Sequence, residues 1–133
     1  MMKIREGEFG SFSAIVVRDA GVMLQFYQDI LGMKLVFSDT ADAGVTKYYL
    51  TFKAGMLKFF APDVPPEIST GDFLGTTGYR VQAYMVTNVT DLFKFFEEKG
   101  VQITSPPQIA NDGTKWGIIA DPEGNLIELA GKG

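Results

Sequence analysis

The sequence contains neither histidine nor cysteine. Without cysteine there are no disulfides, no thiol redox chemistry and no thiolate nucleophile. Without histidine as well, Ser-His-Asp and Cys-His triads are excluded, as is every zinc site built from those two ligands. Positive charge is also scarce: 12 Lys and Arg stand against 16 Asp and Glu, a formal net charge of −4. No dense basic run supplies the field that a phosphate backbone needs, so nucleic acid is not an expected partner. No run of ~18 consecutive apolar residues occurs. The opening Met1-Met2-Lys3-Ile4-Arg5-Glu6-Gly7-Glu8 places charges where a signal peptide needs its apolar stretch. The expectation is a cytoplasmic protein that does not engage a membrane. The glycines from Gly71 to Gly78 lack the Lys-Ser/Thr ending of a phosphate loop.

What is present is apolar and aromatic. Hydrophobic residues make up 46% of the 133, with 11 Phe, 5 Tyr and 1 Trp, enough to build the core of one domain, residues 1–133. The chain also repeats itself. Residues 69 apart match: Ala14 with Ala83, Val17 with Val86, Phe26 with Phe95, Gly55 with Gly124, Leu57 with Leu126 and Ala61 with Ala130. Between these, an offset of 68 aligns Gly32 with Gly100 and Leu35 with Ile103, as though the second copy had lost one residue. A duplication of about half the chain accounts for the register. Module one is expected at 8–62 and module two at 79–131. The Pro- and Gly-rich stretch 63–78 would connect them.

Each copy reads strand, helix, then three strands. Ser11 to Val17 is rich in β-branched residues; from Asp19, apolar residues fall at Val22, Met23, Phe26, Tyr27 and Ile30, one face of a helix. Asp19 is placed to cap that helix, and Gly32 to end it with positive φ. The second copy offers Asn88 or Thr90 as cap, Leu92, Phe95 and Phe96 as stripe, and Gly100 as stop. Three strands are predicted after each helix: Lys34 to Phe37, Lys47 to Phe52 and Met56 to Ala61, then Val101 to Thr104, Thr114 to Ala120 and Asn125 to Ala130. Asp121-Pro122-Glu123-Gly124 has the residues of a type I turn and should join the last two strands as a hairpin.

The duplicated unit, the phrase Phe26-Tyr27-Gln28-Asp29-Ile30-Leu31-Gly32-Met33 and the phrase Asp121-Pro122-Glu123-Gly124-Asn125-Leu126-Ile127-Glu128-Leu129 together resemble the vicinal oxygen chelate superfamily. That is the group of glyoxalase I, the bleomycin-resistance proteins and the extradiol dioxygenases. The resemblance runs from about Phe12 to Leu129. It implies an α+β fold in which two paired βαβββ modules form a curled mixed sheet around a cleft, with one helix per module outside. It also implies a homodimer. Enzymes of this group take metal ligands, usually His or Gln and then Glu, from the first and last strand of each module. Those positions here are Phe12, Phe59 (or, one residue away, Lys58), Val81 and Glu128. Three of the four cannot donate electron pairs to a metal, so neither metal nor other cofactor is expected.

The resemblance therefore implies a metal-independent protein that binds a small molecule, aromatic or cationic in part, as the bleomycin-resistance branch does. The alternative it implies is a glyoxalase-type lyase or isomerase, in which Glu128 acts as general acid or base or as a metal ligand. Alternation along the strands sets Met85 on the face of Val81 and Leu57 on that of Phe59. Trp116 is available to stack on a flat ligand, with Phe37 and Tyr49 as further wall candidates. The expected ligand-binding set is Phe12, Phe59, Val81, Met85, Trp116 and Glu128. Glu128, a carboxylate among apolar neighbours, would draw a cationic or hydrogen-bonding group.

Overall fold

A computed structural model describes residues 2, 3, 5, 12–40, 43–53, 55–70 and 73–133. Ser11, residues 8–10 at the expected start of module one, and Gly71 of the expected connector lie outside the described residues. The chain divides into two compact units, Met1–Glu67 and Ile68–Gly133, so the stretch expected as connector is shared between them.

The first unit begins with β1 (Phe12–Val16) and α1 (Ala20–Gln25), which runs on as a π-helical turn over Phe26–Ile30. Strands β2 (Lys34–Asp39), β3 (Val45–Phe52) and β4 (Gly55–Pro62) follow. They form one sheet in the order β1-β4-β3-β2, with β1 parallel to β4 and the other pairs antiparallel. Asp19 caps the helix as expected: its Oδ1 accepts the Val22 N–H at 3.1 Å, satisfying a donor that the helix itself cannot. Gly32 ends it at φ 73°. The π turn explains the change of offset in the repeat. An extra residue between Phe26 and Gly32 is absorbed by the Leu31 N–H donating to the Phe26 carbonyl, five residues back, at 3.3 Å.

The second unit has the same plan: β5 (Val81–Val86), α2 (Val89–Glu98), β6 (Gln102–Ile109), β7 (Lys115–Ala120) and β8 (Leu126–Gly131). Its sheet order is β5-β8-β7-β6, again with one parallel pair, β5 with β8. Each unit is thus α and β together, and the duplication expected from sequence is present as two four-stranded mixed sheets, each with its helix. Among the described residues no helix is long and apolar enough to cross a membrane.

The helix covers one face of each sheet. In unit one Met23, Phe26 and Tyr27 are buried together with Leu50, Leu57 and Phe59, and the Tyr27 and Phe59 rings meet edge to face at 5.4 Å. In unit two Val89, Phe93 and Phe96 are buried with Ile119, Ile127 and Leu129. Here the expected stripe of Leu92, Phe95 and Phe96 is corrected. The helix is rotated so that Phe93 faces the sheet and Phe95 and Leu92 are half-buried at its flank. The reason is Gly117. A Cβ built there would lie 2.4 Å from the Phe93 ring, so the ring occupies the space that the missing side chain leaves on β7. The cap also differs. Asn88 is the N-cap residue but makes no side-chain capping bond, and the Thr90 N–H is accepted instead by the Gly133 carbonyl at 2.9 Å.

Asp121 anchors the hairpin predicted between the last two strands. Its buried carboxylate accepts the N–H groups of Glu123 and Asn125 and the Asn125 side-chain amide, all at 2.8–2.9 Å. The Gly124 N–H closes the turn on the Asp121 carbonyl at 3.0 Å.

Candidate functional site

The face of each sheet turned away from its helix holds all but one of the expected ligand-binding residues. Partners across a ladder point to the same side of a sheet, so the pairing registers sort the side chains. In unit one Phe12, Ala14 and Val16 of β1 pair with Met56, Lys58 and Phe60 of β4. These in turn pair with Thr51, Tyr49 and Lys47 of β3, and Phe37 lies beyond Tyr49 on β2. Phe12 and Phe37 are more than half exposed.

Phe59 is not on this face. It is fully buried beneath the helix, and Leu57 lies with it, so the expectation that Phe59 shares a face with Phe12 is corrected. The open position is Lys58. A difference in turn length between the two modules causes the slip. Phe52 pairs with Gly55, leaving two residues between them. In the second module the Asp121 N–H bonds to the Asn125 carbonyl, leaving three. The fourth strands therefore align at an offset of 70, and a shift of one residue turns every side chain to the opposite face.

Lys58 is half-buried at the middle of an aromatic surface. Its Nζ lies 4.4 Å from the Phe60 ring centroid and 5.3 Å from that of Tyr49, both within cation–π range. The Phe37 and Tyr49 rings lie 5.5 Å apart at 47°. Reading the repeat at an offset of 69 concealed this cluster; the alternation of Lys58 with Met56 and Phe60 was the available signal.

In unit two Val81, Ala83 and Met85 of β5 pair with Leu126, Glu128 and Ala130 of β8. Ile118 and Trp116 of β7 pair with Glu128 and Ala130. Four of the expected residues, Val81, Met85, Trp116 and Glu128, thus lie on one face of one sheet. Met85 is the most exposed, at 70%, while Trp116 and Glu128 are half-buried. The cross-strand neighbours of Glu128 are Ala83 and Ile118, and nothing else on β5, β7 or β8 on this face is charged. Tyr84 points the other way, in register with buried Leu129, and burial pushes its phenol well above the usual tyrosine range.

At the positions where the resemblance implies metal ligands, unit one offers Phe12 and Lys58 and unit two offers Val81 and Glu128. One carboxylate and one ammonium group do not fit a divalent ion, which needs several oxygen or nitrogen donors free to coordinate it. Among the described residues no three His, Cys, Asp or Glu side chains group closely enough to hold one. What each face can do is present apolar and aromatic surface around a charged group: Lys58 in unit one, with Lys47 and Asp39 further out on the same face, and Glu128 in unit two.

A family model described as the Glyoxalase/Bleomycin resistance protein/Dioxygenase superfamily matches residues 10–129. No curated protein matches the sequence. Among solved structures, SMU.1112c is similar with a TM-score of 0.80 at 19% identity, the match covering 98% of this chain and 99% of that one. A glyoxalase family protein from Enterococcus faecalis has a TM-score of 0.73 at 21% identity over 97% and 99% of the two chains. A mutant of glyoxalase I from Zea mays has a TM-score of 0.74 at 24% identity, covering 90% of this chain but 43% of the maize chain. At these identities the likeness is one of fold.

Proposed function

The chain belongs to the Glyoxalase/Bleomycin resistance protein/Dioxygenase superfamily, and on that premise we propose that it is a metal-independent binding protein for a small, flat, at least partly aromatic molecule. The observation that carries this reading is the donor chemistry of the four positions. Phe12 and Val81 have no lone pairs to offer, and Lys58 places positive charge where a ligand to a cation would be needed. Binding would use the exposed aromatic and aliphatic surface of a sheet face, with Lys58 or Glu128 setting orientation. The reading includes a homodimer working in the cytoplasm.

A second reading follows from Glu128, a half-buried carboxylate with apolar neighbours across both ladders. In a lyase or isomerase of the glyoxalase type it would move a proton at a carbon next to a carbonyl, acting first as base and then as acid.

The test is a titration of flat aromatic compounds followed by the emission of Trp116, the single tryptophan, with and without a chelator. Saturable binding unaffected by the chelator, with the compound recovered unchanged, is the expected result. Binding abolished by chelator and restored by a divalent ion would overturn the reading. Conversion of the compound that is lost in Glu128→Gln would favour the enzyme.

A further inference from the structure

We propose that the open face of unit one carries an anion subsite centred on Lys58, and that the ligand it takes is an aromatic carboxylate. This rests on the reading that the sheet face receives a flat small molecule, and it assigns that molecule a charge.

The surroundings of Lys58 carry the argument. Its cross-strand neighbours are Ala14 and Tyr49, and the residues flanking it on its own strand and face are Met56 and Phe60. Phe12, Val16, Thr51 and Lys47 occupy the diagonal positions. None of these is acidic, and the described acidic residue on this face, Asp39, is in register with Lys47 on the far side of β3. The ammonium group is held over the Phe60 and Tyr49 rings. Ring faces attract its charge but give its three N–H donors no oxygen to bond. A carboxylate supplies that oxygen in a charge-assisted bond.

The surface around it selects the rest of the ligand. The residue directly across from Lys58 is the small, exposed Ala14. Phe37, set against Tyr49, and Phe12 are exposed rings to one side and the other. A planar ring bound to a carboxylate can place its charge on Lys58 and its face on these aromatics at once, stacking in offset or edge-to-face fashion. A cationic ligand would meet Lys58 as a like charge.

The experiment is calorimetric titration of the full chain at fixed ionic strength with 2-naphthoate, neutral 2-naphthol and 2-naphthylmethylammonium. Naphthoate should bind roughly tenfold more tightly than naphthol. Lys58→Met, which keeps the apolar stem without the charge, should abolish that preference by weakening naphthoate to about the naphthol affinity. Lys58→Arg should keep a preference, and Lys94→Met on the exposed side of α2 should change nothing. If Lys58→Met does not fold, Lys58→Gln reads the same preference. Equal affinity for naphthoate and naphthol, a preference that survives Lys58→Met, or tighter binding of the ammonium probe would each overturn the proposal and leave the small-molecule reading standing. Failure of all three probes to bind would overturn both.

Discussion

Lys58 and Glu128 hold the same station in the two modules. Lys58 is in register with Ala14 on the first strand of its sheet, and Glu128 with Ala83 on the first strand of the other. Ala14 and Ala83 are themselves repeat partners, so the duplicated plan carries opposite charges at one place. An ammonium group at such a station repels a divalent ion, and Phe12 and Val81 on the neighbouring first strands offer it no lone pairs.

Protein purified without chelator is accordingly expected to retain well under one equivalent of Ni, Zn, Fe or Mn per chain after dialysis. Elemental analysis checks this directly; near-stoichiometric retained metal would contradict it.

Phe59 and Phe12 should separate cleanly in stability. Phe59→Ala removes a fully buried ring that touches Tyr27 and should cost about 3–5 kcal/mol. Phe12→Ala, at an exposed site, should cost under about 1 kcal/mol. Urea denaturation of the two variants makes the comparison, and equal losses would mean that the two residues share an environment.

The positions of these two rings also show how much the sequence could say. The helix start at Asp19, the stops at Gly32 and Gly100 and the Asp121 turn were legible because each depends on local backbone chemistry within a few residues. The face of β4 was not. Leu57, Lys58, Phe59, Phe60 and Ala61 put apolar side chains on both sides of the strand, so alternation did not distinguish covered from open, and a turn one residue shorter displaced the repeat. The rotation of α2 escaped for a similar reason. Leu92, Phe93, Phe95 and Phe96 offer two overlapping stripes, and the choice between them is made by Gly117 on a distant strand.

Gly117→Ala should destabilise the protein by about 1–3 kcal/mol, because the new methyl meets the Phe93 ring at 2.4 Å. Combining it with Phe93→Leu should recover part of the loss, giving a non-additive double-mutant cycle. Additive losses in thermal or chemical denaturation would show that the ring and the glycine are independent.

Tyr84 should make the fold sensitive to alkali. Its phenol is held above its usual value by burial, so above about pH 10, the ordinary tyrosine value, the unfolded chain releases a proton that the folded chain keeps. Its contribution to stability is thus fully present below that pH and falls as pH rises toward the folded-state value. Tyr84→Phe should flatten the decline measured by denaturation between about pH 9 and pH 11. An unchanged slope would assign the decline to other groups.

The π turn over Phe26–Ile30 gives the first module a reserve of chain length. It holds its additional residue as a local widening of the helix, with Gly32 still at the end and β2 still entering its sheet. The second module reaches the same arrangement with 14 residues from Asn88 to Val101 where the first uses 15 from Asp19 to Met33. The duplicated unit therefore tolerates a one-residue insertion or deletion here without passing it on to strand pairing. Removing Gln28 should tighten the wide turn into ordinary α-helix and leave the strand register of the first sheet unchanged.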